Sequence, residues 1–191
     1  ITHDARQIQD NANKLRVLLS DLVAMSEITA GRAQLNASPY NPIETVQMVI
    51  AGYRQRFAEN PGEILFSVEA GCPEMLFGDA RRFLRNIEAL VENALQVSGS
   101  APVNISLARK MDALQVTVVD SGEVMDDKSR ETIFEHFRHS GHQVADAMAG
   151  NGIRLALARA QALMMGGSLI VEAGAEGGNA FVFTLPIRAT S

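Results

Sequence analysis

The chain has 191 residues, of which 47% are hydrophobic and 20% charged, and its formal net charge is −5. This length and apolar content predict one domain with a proper core, plus an appendage. The mildly acidic balance provides no basic stripe to neutralise phosphates, which argues against nucleic acid as the main partner. Cys72 is the only cysteine, so an internal disulfide is excluded and a reducing compartment is expected. No apolar run approaches the ~20 residues that cross a bilayer.

The start of the chain has the spacing of a long amphipathic helix. Its apolar positions step by four and three: Ile8, Ala12, Leu15, Leu19 and Leu22. This spacing is typical of a coiled coil or a bundle helix. We expect the helix to run to Ala30, to stop at Gly31 and to measure about 40 Å. It can pack on its own domain or pair with another helix, and its length favours pairing. Because the chain opens on Ile1 inside this pattern, we expect a fragment of a longer protein.

Downstream, the patterns alternate between helix and strand. Four further helices are predicted. The first begins at Pro42 behind an Asn41 cap, and the second follows an Asp79 cap and runs to Ser98. The other two cover 129–137 and 153–164. The predicted strands cover 64–68, 75–77, 103–107, 114–118, 168–173 and 180–186, and a mobile loop is expected at 139–152. This order predicts an α+β fold, a two-layer α/β sandwich with one layer of helices on a mixed sheet, preceded by the long bundle helix. We expect two units, 1–36 and 37–191.

The helix that follows Asp79 carries two parallel lines of residues. At about 100° per residue, one line is apolar and predicted to be buried: Phe83, Ile87, Leu90, Val91 and Ala94. The other line runs along its flank: Arg82, Asn86, Ala89, Asn93 and Gln96. Asn86 and Asn93 are therefore expected at the rim of the core, within reach of a ligand. The alternative is an ordinary amphipathic helix with exposed amides.

Two further segments, at Asp120 and at 150–152, are candidates for ligand contact. Asp120 ends an apolar strand and precedes a flexible Ser-Gly, which suits a carboxylate presented to a pocket; the alternative is a turn former. Gly150 and Gly152 open directly onto an amphipathic helix, where free N–H groups and the helix dipole favour an anion such as phosphate. The alternative there is an ordinary loop exit.

Taken in order, five segments resemble the signature boxes of one family. ENALQVS, VVDSGEVM, RETIFEHF, GNGIRLALARAQALMMGG and EGGNAFVFTLP are similar to the N box, first glycine box, F box, second glycine box and closing strand of sensor histidine kinases. That domain belongs to the wider class of gyrase/Hsp90-type ATPases. The upstream stretch ending SEITAGRAQLNASPYNP resembles the second helix of the family's dimerisation and phosphotransfer hairpin.

The resemblance implies ATP and Mg²⁺ as cofactors and roles for particular residues. Asn93 corresponds to the magnesium-coordinating asparagine, and Asp120, with Gly122 beside it, to the aspartate that reads the adenine amino group. Gly150 and Gly152 correspond to the glycines that enclose the phosphates under a lid, here 139–151. Asn86, Gln96 and Arg154 complete the predicted nucleotide-binding set, and no catalytic residue is assigned. For Arg154 two directions are open, towards a phosphate or back towards Asp120.

Five positions depart from the family pattern: Ala89, Gln96, Val124, Arg154 and Asn179 replace an asparagine, a lysine, two glycines and a threonine. Three functions therefore stay open: a histidine kinase of two-component phosphorelay signalling, a regulatory pseudokinase, and a nucleotide-free interaction domain. The implied partners are a second subunit, in a homodimer or heterodimer through the first helix, and a response regulator or partner kinase. His3 is expected to be an early residue of the second hairpin helix and to accept no phosphate. The resemblance implies the cytoplasmic portion of a larger sensor.

Overall fold

The computed structural model describes residues 2–56, 63–135 and 152–187. Five helices and seven strands are found there. The helices are α1 (Thr2–Thr29), α2 (Pro42–Arg56), α3 (Ala80–Ser98), α4 (Asp127–Thr132) and α5 (Gly152–Met164). The strands are β1 (Ser38–Tyr40), β2 (Ile64–Val68), β3 (Leu76–Gly78), β4 (Val103–Lys110), β5 (Ala113–Val119), β6 (Ser168–Ala173) and β7 (Asn179–Pro186).

A five-stranded mixed sheet forms one layer of the fold. Its strand order is β2-β4-β5-β7-β6, with β2 parallel to β4 and the other pairs antiparallel. Alternate side chains of β5 (Leu114, Val116 and Val118) are buried, as the period of two for a half-buried strand requires. The strands predicted at 103–107 and 114–118 are confirmed as the antiparallel hairpin of β4 and β5, with Met111 at its turn in the left-handed region at φ 54°.

Helices α2, α3 and α5 form the second layer, and α3 supplies its central apolar face. Asp79 caps α3, because its carboxylate accepts a hydrogen bond from the Arg82 N–H at 3.0 Å. The predicted apolar line is fully buried: Phe83, Ile87, Leu90, Val91 and Ala94. Phe83 lies between the rings of Tyr40 and Phe183, with centroids 5.3 and 5.8 Å away. The predicted two-layer sandwich of a mixed sheet and one helical layer is confirmed.

Two elements differ from the prediction. β1 lies in a stretch for which the sequence predicts no helix or strand, and it pairs antiparallel with β3 through a register that joins Pro39 to Phe77. Three residues are too short to show a strand period, so sequence reasoning missed it. The predicted helix over 129–137 was also wrong in its bounds: α4 begins after an Asp126 cap and ends at Thr132, with 133–135 in a turn. Of the loop predicted at 139–152, residues 139–151, including Gly150, lie outside the described residues, and Gly152 belongs to α5.

α1 packs along α5 on one side and leaves apolar side chains uncovered on the other. Asp21 and Ala24 lie on the packed side, next to the helical layer. The uncovered side chains are between 37% and 69% exposed: Ile8, Leu15, Leu19, Leu22 and Val23. Across the described parts of the chain, no helix combines the length and apolarity needed to cross a membrane.

Candidate functional site

Asp120 and Asn179 form a buried hydrogen-bonded pair at the ends of adjacent strands. Asp120 follows β5 and is 1% exposed, and Asn179 opens β7 and is 0% exposed. One carboxylate oxygen, Oδ1, accepts three N–H groups: the Asn179 backbone at 3.1 Å, the Asn179 side chain at 3.1 Å and the Gly122 backbone at 2.9 Å. The other oxygen, Oδ2, is buried and has no hydrogen-bond partner among the described residues. This arrangement leaves one buried acceptor without a donor from the described residues.

Asn179 also fixes the segment that follows Asp120. Its Nδ2 donates to the Glu123 carbonyl at 3.0 Å, and its Oδ1 accepts from the Met125 N–H at 2.8 Å. Its backbone carbonyl accepts from the Asp120 N–H at 3.0 Å. Every amide atom of this buried side chain is therefore used, which is the condition for burying an amide at little cost.

Two glycines allow the backbone to approach Asp120 closely. At Gly178, with φ +70°, a Cβ would lie 1.8 Å from the Asp120 carbonyl oxygen. At Gly122 a Cβ would lie 2.2 Å from Cγ1 of Val97 on α3. Ser121 joins the same contact, because its N–H donates to Ser98 Oγ at 2.9 Å. These contacts place the segment from Asp120 to Gly122, called the Asp120 loop below, against the carboxyl end of α3.

Asn93 lies one helical turn before Val97 and so faces the same end of the site. It is buried, and its Nδ2 has no hydrogen-bond partner within the described residues. Gln96 lies three residues further on and is exposed. Gly152 is the first residue of α5, one position before the predicted helix start at 153. The structure thus brings Asn93 and Gly122 to the same end of α3 through the Asp120 loop.

Arg154 has partners other than the two that the sequence left open. Its guanidinium pairs with Glu92 on α3, and its Nε lies 3.5 Å from Asp21 Oδ2 on α1. Arg85 adds a looser contact, with its guanidinium 3.8 Å from Asp21 Oδ1. Burial raises the pKa of Asp21 above its ordinary value of 3.8, and the nearby Arg154 and Arg85 charges oppose that rise without cancelling it. Arg154 therefore joins three helices in this structure.

Asn86 lies apart from the Asp120 loop. It lines a cavity of about 330 Å³ between α1, α3 and α5, together with Ala89 and Arg154. Asn93, Gln96 and Asp120 do not line this cavity. The single polar line predicted along α3 is thus divided in space between two regions, one at each end of the helix.

Sequence reasoning did not anticipate the partners of these residues. Asn179 was noted only as a departure from a threonine, and its contact with Asp120 spans 59 positions in the sequence. Asp21 and Glu92 gave no signal at all, because an isolated acidic residue on an amphipathic helix is usually solvated. Asn179 is a polar residue at the start of a largely apolar strand, NAFVFTLP. That position is the one sequence feature that could have indicated its pairing with Asp120.

Comparison with known families gives a match over the part of the chain that holds this site. The sequence profile described as "Histidine kinase-, DNA gyrase B-, and HSP90-like ATPase" matches residues 78–189. The matched segment includes α3, Asp120, Gly152 and Asn179. It excludes α1, so the two units predicted from the sequence stay a prediction.

Individual proteins align over more of the chain. The sensor protein TorS of Escherichia coli K12 is 27% identical over 190 residues, covering 98% of this chain and 20% of TorS. The adaptive-response sensory kinase SasA of Synechocystis is 28% identical over 174 residues, covering 89% of this chain and 44% of SasA. The chain thus spans less than half the length of either relative.

Two solved structures show the same fold. The Acinetobacter baumannii histidine kinase AdeS superposes with a TM-score of 0.76 at 17% identity, covering 96% of this chain and 84% of AdeS. Full-length ShkA in complex with AMPPNP gives 0.78 at 21% identity, covering 95% of this chain and 38% of ShkA. From the profile match, the chain belongs to the histidine kinase-, DNA gyrase B- and HSP90-like ATPase family, and its ATP-binding catalytic domain is of the kind found in the histidine kinases of two-component signalling.

Proposed function

We propose that this chain binds ATP with its adenine amine on Asp120 and serves a sensor histidine kinase that phosphorylates a histidine. The observation that carries the proposal is the unpartnered Oδ2 of Asp120, buried beside an Oδ1 that already accepts three N–H groups. A carboxylate only accepts hydrogen bonds, so this oxygen requires a donor. The exocyclic amine of adenine is such a donor, and a carbonyl at the same position of a purine is not.

The remaining predicted residues fit the other end of such a nucleotide. We propose that Asn93 offers its amide oxygen to Mg²⁺, which prefers oxygen ligands and retains several waters. Gly150 and Gly152 would give the phosphates a close approach to the start of α5, where N–H groups are unpaired by the helix. Gln96 would contribute a neutral donor where the family has a lysine. The bound ion would neutralise phosphate charge, and the chain's own groups orient the nucleotide.

Two of the five departures from the family pattern leave the adenine end of the site intact. Asn179 donates to Asp120 in place of the usual threonine. Arg154 is held by carboxylates on other helices and does not contact Asp120. These contacts support a nucleotide-binding protein over a nucleotide-free interaction domain. The pseudokinase alternative would share the binding and differ in turnover.

The test is calorimetric titration with ADP, with and without Mg²⁺, followed by a search for acid-labile phosphate after incubation with ATP. Asp120→Ala should weaken ADP binding by about 5- to 150-fold, corresponding to ~1–3 kcal/mol. Asp112→Ala, at an exposed turn aspartate, is the matched control and should bind as the parent does. Equal binding by both variants would refute the proposed pocket. Parent-like binding without any phosphotransfer, tested in the longer chain, would favour the pseudokinase.

We further propose that α1 forms a subunit interface, with residues 1–36 as part of a dimerisation hairpin and 37–191 as the catalytic-type domain. The exposed apolar side of α1 supports this, since one face packs on α5 and the other leaves apolar side chains 37% to 69% exposed. Leu15→Asp with Leu22→Asp should abolish a dimer, because each charge would enter a desolvated seam. Light scattering measures the mass. A dimer that survives both substitutions would contradict the interface.

We also propose a partner and a cellular setting from the membership of the histidine kinase family. A second copy or a partner kinase would pair through α1, and a response regulator would receive the phosphoryl group. The chain would then be the cytoplasmic portion of a larger sensor. TorS and SasA are described by their names as a sensor protein and a sensory kinase, which agrees with this setting.

A further inference from the structure

Arg154 connects α1 to the domain through an ion cluster of three residues, Arg154, Asp21 and Glu92, called the Arg154 latch below. These residues lie on α5, α1 and α3 in that order. Glu92 is also held by α2, because its Oε2 accepts a hydrogen bond from the Tyr53 hydroxyl at 3.4 Å. The family pattern has a glycine at position 154, and a glycine has no charged side chain to make these contacts. The latch is therefore a feature of this chain.

The latch does not fully offset the burial of Asp21. Asp21 is 7% exposed at its side chain, and its nearest contact with Arg154 is 3.5 Å long, whereas charge-assisted hydrogen bonds measure about 2.7–2.9 Å. Burial raises the pKa of Asp21 and Glu92 adds to the rise, although Arg154 and Arg85 oppose it. Because the burial of Asp21 comes from the packing of α1 on the domain, the docked helix carries a net cost at this carboxylate at neutral pH.

Asn86 adds a second cost at the same contact. It is among the walls of the cavity of about 330 Å³ between α1, α3 and α5 and is 1% exposed. Both of its amide atoms are buried and without a hydrogen-bond partner among the described residues, so a molecule in the cavity does not reach them. An unsatisfied buried amide destabilises the arrangement that buries it. Only a rearrangement of the surrounding helices can supply the missing partners.

The cavity itself shows that α1 is incompletely packed on the domain. Val17, Ser20 and Ala24 line it from α1, and Leu157 and Ala158 line it from α5. Protein interiors contain few voids larger than a water molecule, and side chains beside such a space lose dispersion contacts. Of the described elements, α5 is the one on which α1 chiefly packs. Among the walls of the cavity, α1 is therefore the one most easily moved.

The chain between α1 and β1 is anchored on the domain side. The Arg82 guanidinium donates to the Gln34 carbonyl at 3.0 Å, and Asp79 Oδ2 accepts from the Asn36 N–H at 3.1 Å. The Ala33 N–H still donates back to a carbonyl of α1 at 3.2 Å. The junction of residues 33 and 34 thus separates the part that belongs to α1 from the part fixed to α3, and α1 can turn there while β1 stays paired.

We propose that α1 docks on the domain reversibly and that the Arg154 latch is the contact that holds it in the docked position. Release of α1 hydrates Asp21 and opens the surroundings of Asn86, which removes both costs, while the segment anchored on Asp79 and Arg82 keeps the two parts together. The latch opposes this release. The helix proposed above as a subunit interface can then change its position relative to the domain without unfolding of either part.

The experiment measures the distance between two spin labels by pulsed electron paramagnetic resonance. The labels are attached through Asn11→Cys on α1 and Asp112→Cys at the β4–β5 turn, both at exposed positions, in a Cys72→Ser background. Labelled chain is mixed with excess unlabelled chain, so that distances between subunits are not detected. The parent should give a docked and a released population, and the ratio of the two is the quantity compared among variants.

Two substitutions should move this ratio in opposite directions. Arg154→Ala should lower the docked-to-released ratio by about 5- to 30-fold, because it leaves a buried carboxylate without its main cation. Asn86→Leu, added to Arg154→Ala, should raise the ratio again by about fivefold, because it replaces an unsatisfied amide with an apolar side chain of similar size. Asn104→Leu in the same background is the matched control at an exposed asparagine on β4 and should leave the ratio unchanged.

An unchanged ratio in Arg154→Ala would overturn the proposal, whether the parent is found in one population or in two. A ratio that Asn86→Leu leaves unchanged or lowers would also overturn it, since the amide would then cost the docked and the released arrangement equally. The labels are measured without nucleotide. Failure of this test therefore leaves the ADP titration of Asp120→Ala untouched.

Discussion

The two ends of α3 place buried polar side chains in opposite conditions. Near its carboxyl end, Asp120 is held by three N–H groups on one oxygen and leaves the other oxygen open. Near its amino end, Asn86 is 1% exposed and has no hydrogen-bond partner among the described residues on either amide atom. The first region satisfies most of its buried polar atoms, and the second leaves a whole amide unsatisfied.

This difference shows that buried polar side chains on one helix can be satisfied to very different degrees. Preorganised acceptors bind with less loss of freedom, because their orientation is established before the ligand arrives. A buried amide without partners carries the cost of its desolvation and offers no such preorganised contact. Substitutions at the two ends should therefore have different effects on stability and on binding.

The largest effect is expected from Asn179→Leu, which breaks the preorganised region. The substitution removes two donors and one acceptor and leaves the Met125 N–H and Glu123 carbonyl without their partner. We expect unfolding free energy to fall by about 2–3 kcal/mol in urea denaturation, in keeping with the cost of unsatisfied buried groups. Asn179→Thr keeps a hydroxyl for Asp120 and should lose about half as much. A leucine variant as stable as the parent would show that the network contributes nothing.

A smaller effect is expected from Arg154→Ala, which removes the guanidinium that joins α5 to α1 and α3. The change leaves Asp21, 7% exposed at its side chain, with only the distant Arg85 as a cation. Because Arg154 and Glu92 are partly exposed, the loss should be about 1–2 kcal/mol, less than for a fully buried pair. Hydrogen exchange should show α1 amides opening faster, while Arg32→Ala, in an exposed loop, serves as the control.

The same variant separates the two roles considered for this arginine. If Arg154 serves α1 packing, ADP affinity should stay within about twofold of the parent value, since no phosphate contact is lost. A clear drop in ADP affinity would instead support the phosphate contact predicted from the sequence.

The smallest effect concerns the pH dependence of Asp21. Burial raises its pKa in the folded protein above 3.8, so the folded state binds the proton more tightly than the unfolded state does. This contribution to stability is complete below pH 3.8 and is lost as pH rises through the raised pKa. The unfolding free energy of the parent relative to Asp21→Asn should therefore decrease as pH rises from about 4 towards neutrality. A difference that stays constant or increases over that range would contradict the assignment.

Much of the fold could be predicted because its signals are local. The apolar line of α3, the Asp79 cap and the alternation in β5 each follow from residues within a few positions of one another. β1 escaped prediction because its three residues acquire a strand conformation only through pairing with β3, 36 to 40 positions along the chain.

The candidate site could be predicted only in part, for the same reason. Asp120 is marked by its position at a strand end, but its fixed orientation depends on Asn179, which the chain brings from another strand. The partners of Arg154 come from α1 and α3, and no spacing rule links three separate helices. Local pattern identifies which residues can bind, and the tertiary contacts decide which of their atoms are already used.

The most direct measurement of the central claim is the ratio of dissociation constants for ATP and ITP, measured by calorimetry with the parent and with Asp120→Ala. The two nucleotides differ at the position that would face Asp120 Oδ2, where ATP has an amine and ITP a carbonyl. The parent should prefer ATP by about 5- to 150-fold, because the carbonyl would leave the carboxylate oxygen unsatisfied. Asp120→Ala should bind both nucleotides about equally. A parent that binds ATP and ITP with the same affinity would contradict the placement of adenine on Asp120.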